Sequence, residues 1–141
     1  MRTFRLALLD SRGADRFERV QQFIGADASG AFGILAGHAP MIVALRYGLA
    51  RFLDDAGAWH YLALPAGILR LDRDDLRVVT VRYFLGDEPG ALLDRLAREM
   101  AQHDSDLSAA RQILAKIDRM LIRRLADLEG RGTMAAESIA Q

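Results

Sequence analysis

Three histidines, five serines and two pairs of adjacent aspartates are the side chains here whose types could do chemistry, and their spacing argues against catalysis. His38, His60 and His103 lie far apart and none has a partner at the i, i+4 distance that makes a helical metal pair. His60 falls in a strand pattern and His103 near a helix end, where the dipole favours a cation. His38 alone invites a functional reading. Ser11, Ser29, Ser105, Ser108 and Ser138 occupy turns, caps or the tail, without the strand-turn-helix elbow that exposes a nucleophile. Asp54-Asp55 and Asp74-Asp75 sit in turns, where neighbouring carboxylates stay solvated and ionised, so no acid-base pair emerges. The loop Asp27-Ala28-Ser29-Gly30-Ala31-Phe32-Gly33 lacks the lysine that would hold a phosphate. With no cysteine, disulfides, thiol catalysis and cysteine-ligated metals are excluded together, which is compatible with a reducing compartment. No catalytic residue, metal or cofactor is expected; the pattern points to a binding protein.

Basic and acidic residues balance at 19 each, so no overall field exists to gather nucleic acid or an anionic membrane. Charge is instead concentrated locally. Residues 111–124 carry Arg111, Lys116, Arg119, Arg123 and Arg124 against one acid, Asp118, leaving this stretch with a net charge of +4. Such a run reads either as a solvated helix face or as a docking surface for an acidic partner. The N-terminus lacks the continuous apolar core of a secretory signal, and the longest apolar stretch, Met41 to Leu45, is far short of the roughly 20 residues a membrane span needs. Direct membrane insertion is therefore not expected.

These residues need elements to hold them. From residue 3 to 84 short apolar runs alternate with polar positions and are punctuated by turns, a β pattern. The predicted strands are Thr3–Leu9, Arg16–Ile24, Phe32–Leu35, Met41–Leu45, Gly48–Leu53, Trp59–Leu64, Gly67–Leu71 and Asp75–Arg82. Many short strands with tight turns imply a sandwich or flattened barrel, and no helical period before residue 88 leaves room for the crossover helices of a parallel fold. After Gly86-Asp87-Glu88-Pro89-Gly90 the period becomes helical. Leu93, Leu96, Met100 and His103 repeat at three and four, His103-Asp104-Ser105-Asp106 supplies capping residues, and a second helix begins near Leu107. Its seam of Leu107, Ala110, Leu114, Ile117, Leu121, Leu125 and Leu128 is about 34 Å long against about 21 Å for the first helix, so part of it stays uncovered. Gly130-Arg131-Gly132 is expected to end it. The fold class is α+β: an antiparallel β-sandwich over 1–86, an antiparallel helical hairpin over 87–130 and a flexible tail over 131–141.

The stretch Gly33-Ile34-Leu35-Ala36-Gly37-His38-Ala39-Pro40-Met41-Ile42 resembles the Gly-Ile-x-x-Gly-His-Ala-Pro motif of the epsilon subunit of F-type rotary ATP synthases. Ala44-Leu45-Arg46-Tyr47-Gly48 and Ala66-Gly67-Ile68-Leu69 follow at the spacing of that family, and the resemblance extends from about residue 3 to 129. It implies a flattened sandwich of about ten strands with a C-terminal helical hairpin. It also implies a non-catalytic rotor subunit on the cytoplasmic face of the bacterial inner membrane. The sandwich would bind the gamma subunit and rest on the polar loops of the c-ring through Ala31, Phe32, Gly37, His38, Ala39 and Pro40. The helices would restrain ATP hydrolysis, with Arg111, Lys116, Arg119, Arg123 and Arg124 meeting an acidic segment of the beta subunit. His38 either faces outward on this stiff turn or bonds within it.

The chain also departs from the family. Some members bind ATP at a Leu/Ile-Asp-x-x-Arg-Ala motif; in Leu93-Asp94-Arg95-Leu96-Ala97-Arg98 the arginine and alanine are transposed, which argues against nucleotide binding at Leu93, Asp94 and Arg98. Ala31 stands where many members carry an acid. Ile122-Arg123-Arg124-Leu125 is similar to the sodium-type alternate branch, so the coupled ion stays open. The competing reading is a freestanding sandwich that binds a small ligand and dimerises through its hairpin.

Overall fold

The computed structural model describes the backbone of residues 2–140 and the side chains of residues 2–127. Nine strands precede one helix: β1 (Phe4–Asp10), β2 (Gly13–Asp27), β3 (Gly30–Leu35), β4 (Met41–Leu45), β5 (Gly48–Asp54), β6 (Trp59–Leu64), β7 (Gly67–Asp72), β8 (Asp75–Thr80), β9 (Phe84–Gly86) and α1 (Pro89–Ala140). The strands run in the order β4-β7-β8-β1-β2-β5-β6-β9, with β3 paired to β2, and the path does not close on itself.

The 15-residue β2 makes two layers from one sheet. Its first half pairs with β1, from Asp10↔Gly13 to Phe4↔Val20. Its second half lies between β3, through Gln22↔Leu35 to Asp27↔Gly30, and β5, through Val20↔Asp54 to Ile24↔Arg51. The register shifts between Val20 and Gln22, and such a bulge bends a strand and increases its twist. The layers so formed are β4-β7-β8-β1 with the start of β2, and β3-β2-β5-β6-β9.

Alternation then fills the space between them. Leu69 and Leu71 of β7 and Leu76 and Val78 of β8 are buried while Ile68, Arg70, Arg77 and Val79 are exposed. With Phe4, Leu6, Leu8, Phe23, Ile34, Phe52, Leu62 and Leu64 they make one core, each large side chain contributing about 2 kcal/mol of burial. A second cluster, Ala63, Phe84, Leu92 and Leu96 with Leu49, Tyr61 and Met100 against it, seats the start of α1. The compact units are Met1–Met100 and Ala101–Gln141, so the first turns of α1 pack with the sandwich.

Four features correct the sequence reading. There are nine strands rather than about ten; β9 was missed because its three residues, paired with Tyr61 to Ala63, are too short to show a period. The sheet is not wholly antiparallel, since β1 and β8 pair in parallel from Arg5↔Asp75 to Leu9↔Val79. It is an open sheet rather than a closed barrel. Most consequentially, α1 is a single helix instead of a hairpin and passes through His103-Asp104-Ser105-Asp106 without a break. These residues cost only about 0.5 kcal/mol each in a helix interior, and Gln102 Nε2 donates to Asp106 Oδ1 at 3.0 Å across the expected break. Asp106 thereby serves an i, i+4 contact and not a cap. The helix also continues past Gly130-Arg131-Gly132 to Ala140. The flexible tail expected over 131–141 lies outside the residues whose side chains are described.

Candidate partner interface

β3 ends at Leu35 and the chain turns through Ala36-Gly37-His38-Ala39-Pro40 into β4. Gly37 has φ +80°, a conformation that glycine adopts without cost. The His38 N–H donates to the Leu35 carbonyl at 3.1 Å, and Nδ1 of its ring lies 2.7 Å from the Ala39 carbonyl, so in the Nδ1–H tautomer it donates within its own turn. All four residues from Gly37 to Pro40 are exposed. The turn is tethered from outside: the Gly37 N–H donates to Asp74 Oδ1 at 2.7 Å, and Arg2 Nη2 lies 3.8 Å from Asp74 Oδ2.

The six residues expected at one interface do not form one patch. Ala31 is the second residue of β3 and the Gly37–Pro40 turn follows its end, and at about 3.3 Å per residue the strand separates them by more than about 13 Å. Ala31 pairs with Ala26, whose carbonyl accepts the Arg46 N–H at 3.0 Å, so it belongs to the opposite end with exposed Tyr47. Phe32 is only partly exposed. It packs against the core, and a Cβ on Gly25 would stand 3.0 Å from its ring, so Gly25 leaves the room that Phe32 fills.

The structure adds residues that the sequence reading did not single out. Leu35 and Ile42, 59% and 74% exposed, flank the Gly37–Pro40 turn. Ile42 opens onto the outer face of the β4-β7-β8-β1 layer. There the register aligns Ala44, Ile68, Val79 and Leu9 in one row and Ile42, Arg70, Arg77, Ala7 and Arg16 in the next. Ile68 and Val79 are each about half exposed. Arg16, Arg70 and Arg77 are in no ion pair among the described residues. Hydropathy alternation could have revealed this, because an apolar residue on the outward phase of both β7 and β8 breaks the pattern.

A polar hollow of about 360 Å³ is lined by Asp10, Arg12, Asp15, Arg82, Tyr83 and Arg95 among others. Its polar groups are mostly paired with one another, and among the described residues Arg82 Nε is the buried side-chain nitrogen left without a hydrogen bond. Burial pulls the Asp10 carboxyl upward, but N–H groups of Arg12 and Tyr83 and the Arg82 guanidinium outweigh that and hold it below the usual carboxylate range. Burial, and donation of its proton to Asp15, push the Tyr83 phenol well up. The guanidinium groups of Arg82 and Arg95 both lie over the Phe84 ring, at 4.3 and 4.4 Å from its centroid. Among the described residues no cluster of histidines or acids could hold a metal, and no helix is long and apolar enough to cross a membrane. In the degenerate nucleotide motif Leu93 is half-buried while Asp94 and Arg98 are exposed.

From Ala101 to Asp127 every helical side chain is exposed. At about 100° per residue Lys116, Arg119 and Arg123 share an arc of about 60°, across the helix from Leu114, Ile117 and Leu121, with Ile113 and Met120 beside Lys116. Arg111 falls on one flank of this arc and Arg124 on the apolar side, between Ile113 and Ile117. The five cations are therefore a three-residue stripe facing away from the seam plus two residues outside it.

The family profile described as ATP synthase, Delta/Epsilon chain, beta-sandwich domain matches residues 3–85. A relative from Cereibacter sphaeroides, ATP synthase epsilon chain 2, is 34% identical over 114 residues, covering 74% of this chain and 78% of the relative. The chain belongs to the ATP synthase delta/epsilon family. Another epsilon chain, from Trichodesmium erythraeum, is 30% identical over 120 residues, covering 83% of this chain and 87% of its own length. The fold itself is also found in solved structures. A chain in the structure of the Euglena gracilis mitochondrial ATP synthase with its c-ring superposes with a TM-score of 0.55 at 19% identity, covering 68% of this chain and 62% of that one. One in the central stalk and c-ring structure of Tetrahymena thermophila gives 0.51 at 8% identity, covering 59% and 66%.

Proposed function

We propose that the chain is a non-catalytic rotor subunit of an F-type ATP synthase, peripheral to the cytoplasmic face of the bacterial inner membrane. The observation that carries this reading is the apolar row of exposed Ala44, Ile68 and Val79 with part-buried Leu9, beside arginines that are in no ion pair among the described residues, on a member of the delta/epsilon family. A sandwich that works alone has no use for half-exposed isoleucine and valine at adjoining register positions. This face, continuous through Ile42 with the Gly37–Pro40 turn, is the proposed surface for the gamma subunit. The opposite end, with Ala31 and Tyr47, is the proposed contact with the polar loops of the c-ring.

Helix α1 is the proposed regulatory element. Extended, it presents Lys116, Arg119 and Arg123 to the acidic segment of the beta subunit; folded back at His103–Asp106, it would form the hairpin. The two packings need differ by only a few kcal/mol for a ligand or partner to choose between them. The test is co-purification of the full chain with its cognate gamma subunit and c-ring, with an enzyme assay of the chain alone; failure to bind either partner sinks the reading.

The uncovered apolar side of α1 supports a second reading, a freestanding module that dimerises through this helix. A stable homodimer by sedimentation, together with no gamma binding, would favour it.

A further inference from the structure

We infer that Asp74 is the positioning residue for the Gly37–Pro40 turn, holding it in the one conformation that its partner can dock against. This rests on the reading above, in which that turn meets gamma. The reason lies in a backbone choice that is otherwise unexplained. β7 and β8 are joined by two residues, Arg73 and Asp74, with φ of 51° and 59°. A two-residue hairpin with both φ positive is the type I′ turn, for which Asn-Gly or Gly-Gly is the favoured sequence. Here neither position is glycine. Backbone strain of this sort persists only where the surroundings over-determine it, and it collects at functional sites.

What Asp74 does there is specific. Its backbone carbonyl accepts the Arg5 N–H at 2.9 Å, fixing the turn against the start of β1. Its Oδ1 accepts the Gly37 N–H at 2.7 Å, and its Oδ2 faces Arg2 at 3.8 Å. A single carboxylate thus joins three segments remote in sequence: the N-terminus, the exit of β3 and the β7–β8 turn. Glycine at 74 would relax the turn and leave the Gly37 N–H without its acceptor. Gly37 takes φ +80° in this turn, and a Cβ there would stand 2.8 Å from Arg2 Nη1, so the exposed guanidinium beside Asp74 would have to shift. His38, bonded among the described residues only within its own turn and to the end of β3, inherits its direction from this tether.

Asp74→Gly separates a turn residue from a positioning residue, because it eases the backbone while deleting the tether. Asp74→Ala deletes the tether without easing the turn, and Asp74→Asn keeps an oxygen acceptor and tolerates the same φ. In the full chain, hydrogen exchange of the Gly37 amide should accelerate about tenfold in the glycine and alanine variants and stay within about twofold of wild type in the asparagine variant. Affinity for purified gamma should fall about five- to tenfold in the same two variants, while the melting temperature of the glycine variant does not drop. An unchanged Gly37 amide in Asp74→Gly overturns the tether. A freed amide with undiminished gamma affinity overturns the positioning role. If wild type itself does not bind gamma, the functional reading falls instead, an outcome distinct from both.

Discussion

Arg12, in the turn between β1 and β2, donates from Nη2 to Oε1 of Glu99 on α1 at 3.4 Å, and the same oxygen lies 3.7 Å from Nε of Arg82. This polar clasp sits beside Leu92 and Leu96, which are buried against Ala63 and Phe84. The two kinds of contact should contribute very unequally. Arg12 is mostly exposed and its pair with Glu99 contributes below about 1 kcal/mol, whereas truncating a fully buried leucine costs about 3 kcal/mol. Glu99→Ala should therefore shift chemical denaturation little and Leu96→Ala strongly. Equal effects would mean that charge, not burial, seats the helix.

Acid should weaken the sandwich through Asp10. Its carboxyl is held below the usual range on folding, so its contribution is full above the unfolded value near 4 and is lost as pH falls through the depressed folded value. Thermal unfolding at pH 7 and pH 3 should show that loss in wild type and less of it in Asp10→Asn. At pH 7 the variant should already be less stable by about 3 kcal/mol, because Arg82, 14% exposed, loses its buried partner. A pH dependence identical in the two proteins would contradict this.

The outer face of β4-β7-β8-β1 should be where gamma binds. Ile68→Asp with Val79→Asp puts two charges into the apolar row without touching the core, since both side chains point outward. Binding to gamma should weaken at least about tenfold, with the melting temperature nearly unchanged. Retained affinity would move the interface elsewhere.

The basic stripe should act as a unit. Lys116, Arg119 and Arg123 are exposed and fall on one side of α1, and single exposed pairs contribute only about 0–1 kcal/mol. Replacing all three with alanine should raise ATP hydrolysis by the assembled complex severalfold, with subunit composition unaltered. Hydrolysis at the wild-type rate would leave the stripe as a solvated face.

Legibility followed the range of the interactions. Strands β4 to β8 could be placed from alternation and turn residues alone, because both signals are local. β9 was not legible: three residues become a strand only because Tyr61 to Ala63 lie beside them. The parallel pairing of β1 with β8 joins residues about 70 positions apart, beyond what periodicity reports. The hairpin failed for a related reason. Asp104, Ser105 and Asp106 are capping types, but whether they cap or continue depends on neighbours such as Gln102. At the candidate site the Gly-His-Ala-Pro turn was readable from its residues, as was the basic run. The separation of Ala31 from His38 along β3, the inward packing of Phe32 and the Asp74 tether are products of register, and no local pattern reports them.

The most direct measurement is titration calorimetry of the purified full chain against its purified cognate gamma subunit. A one-to-one complex, weakened at least about tenfold in the Ile68→Asp, Val79→Asp variant and unchanged when Lys116, Arg119 and Arg123 are replaced, is the predicted result. No heat of binding with both proteins folded would contradict a rotor subunit and leave the dimerising module as the better reading.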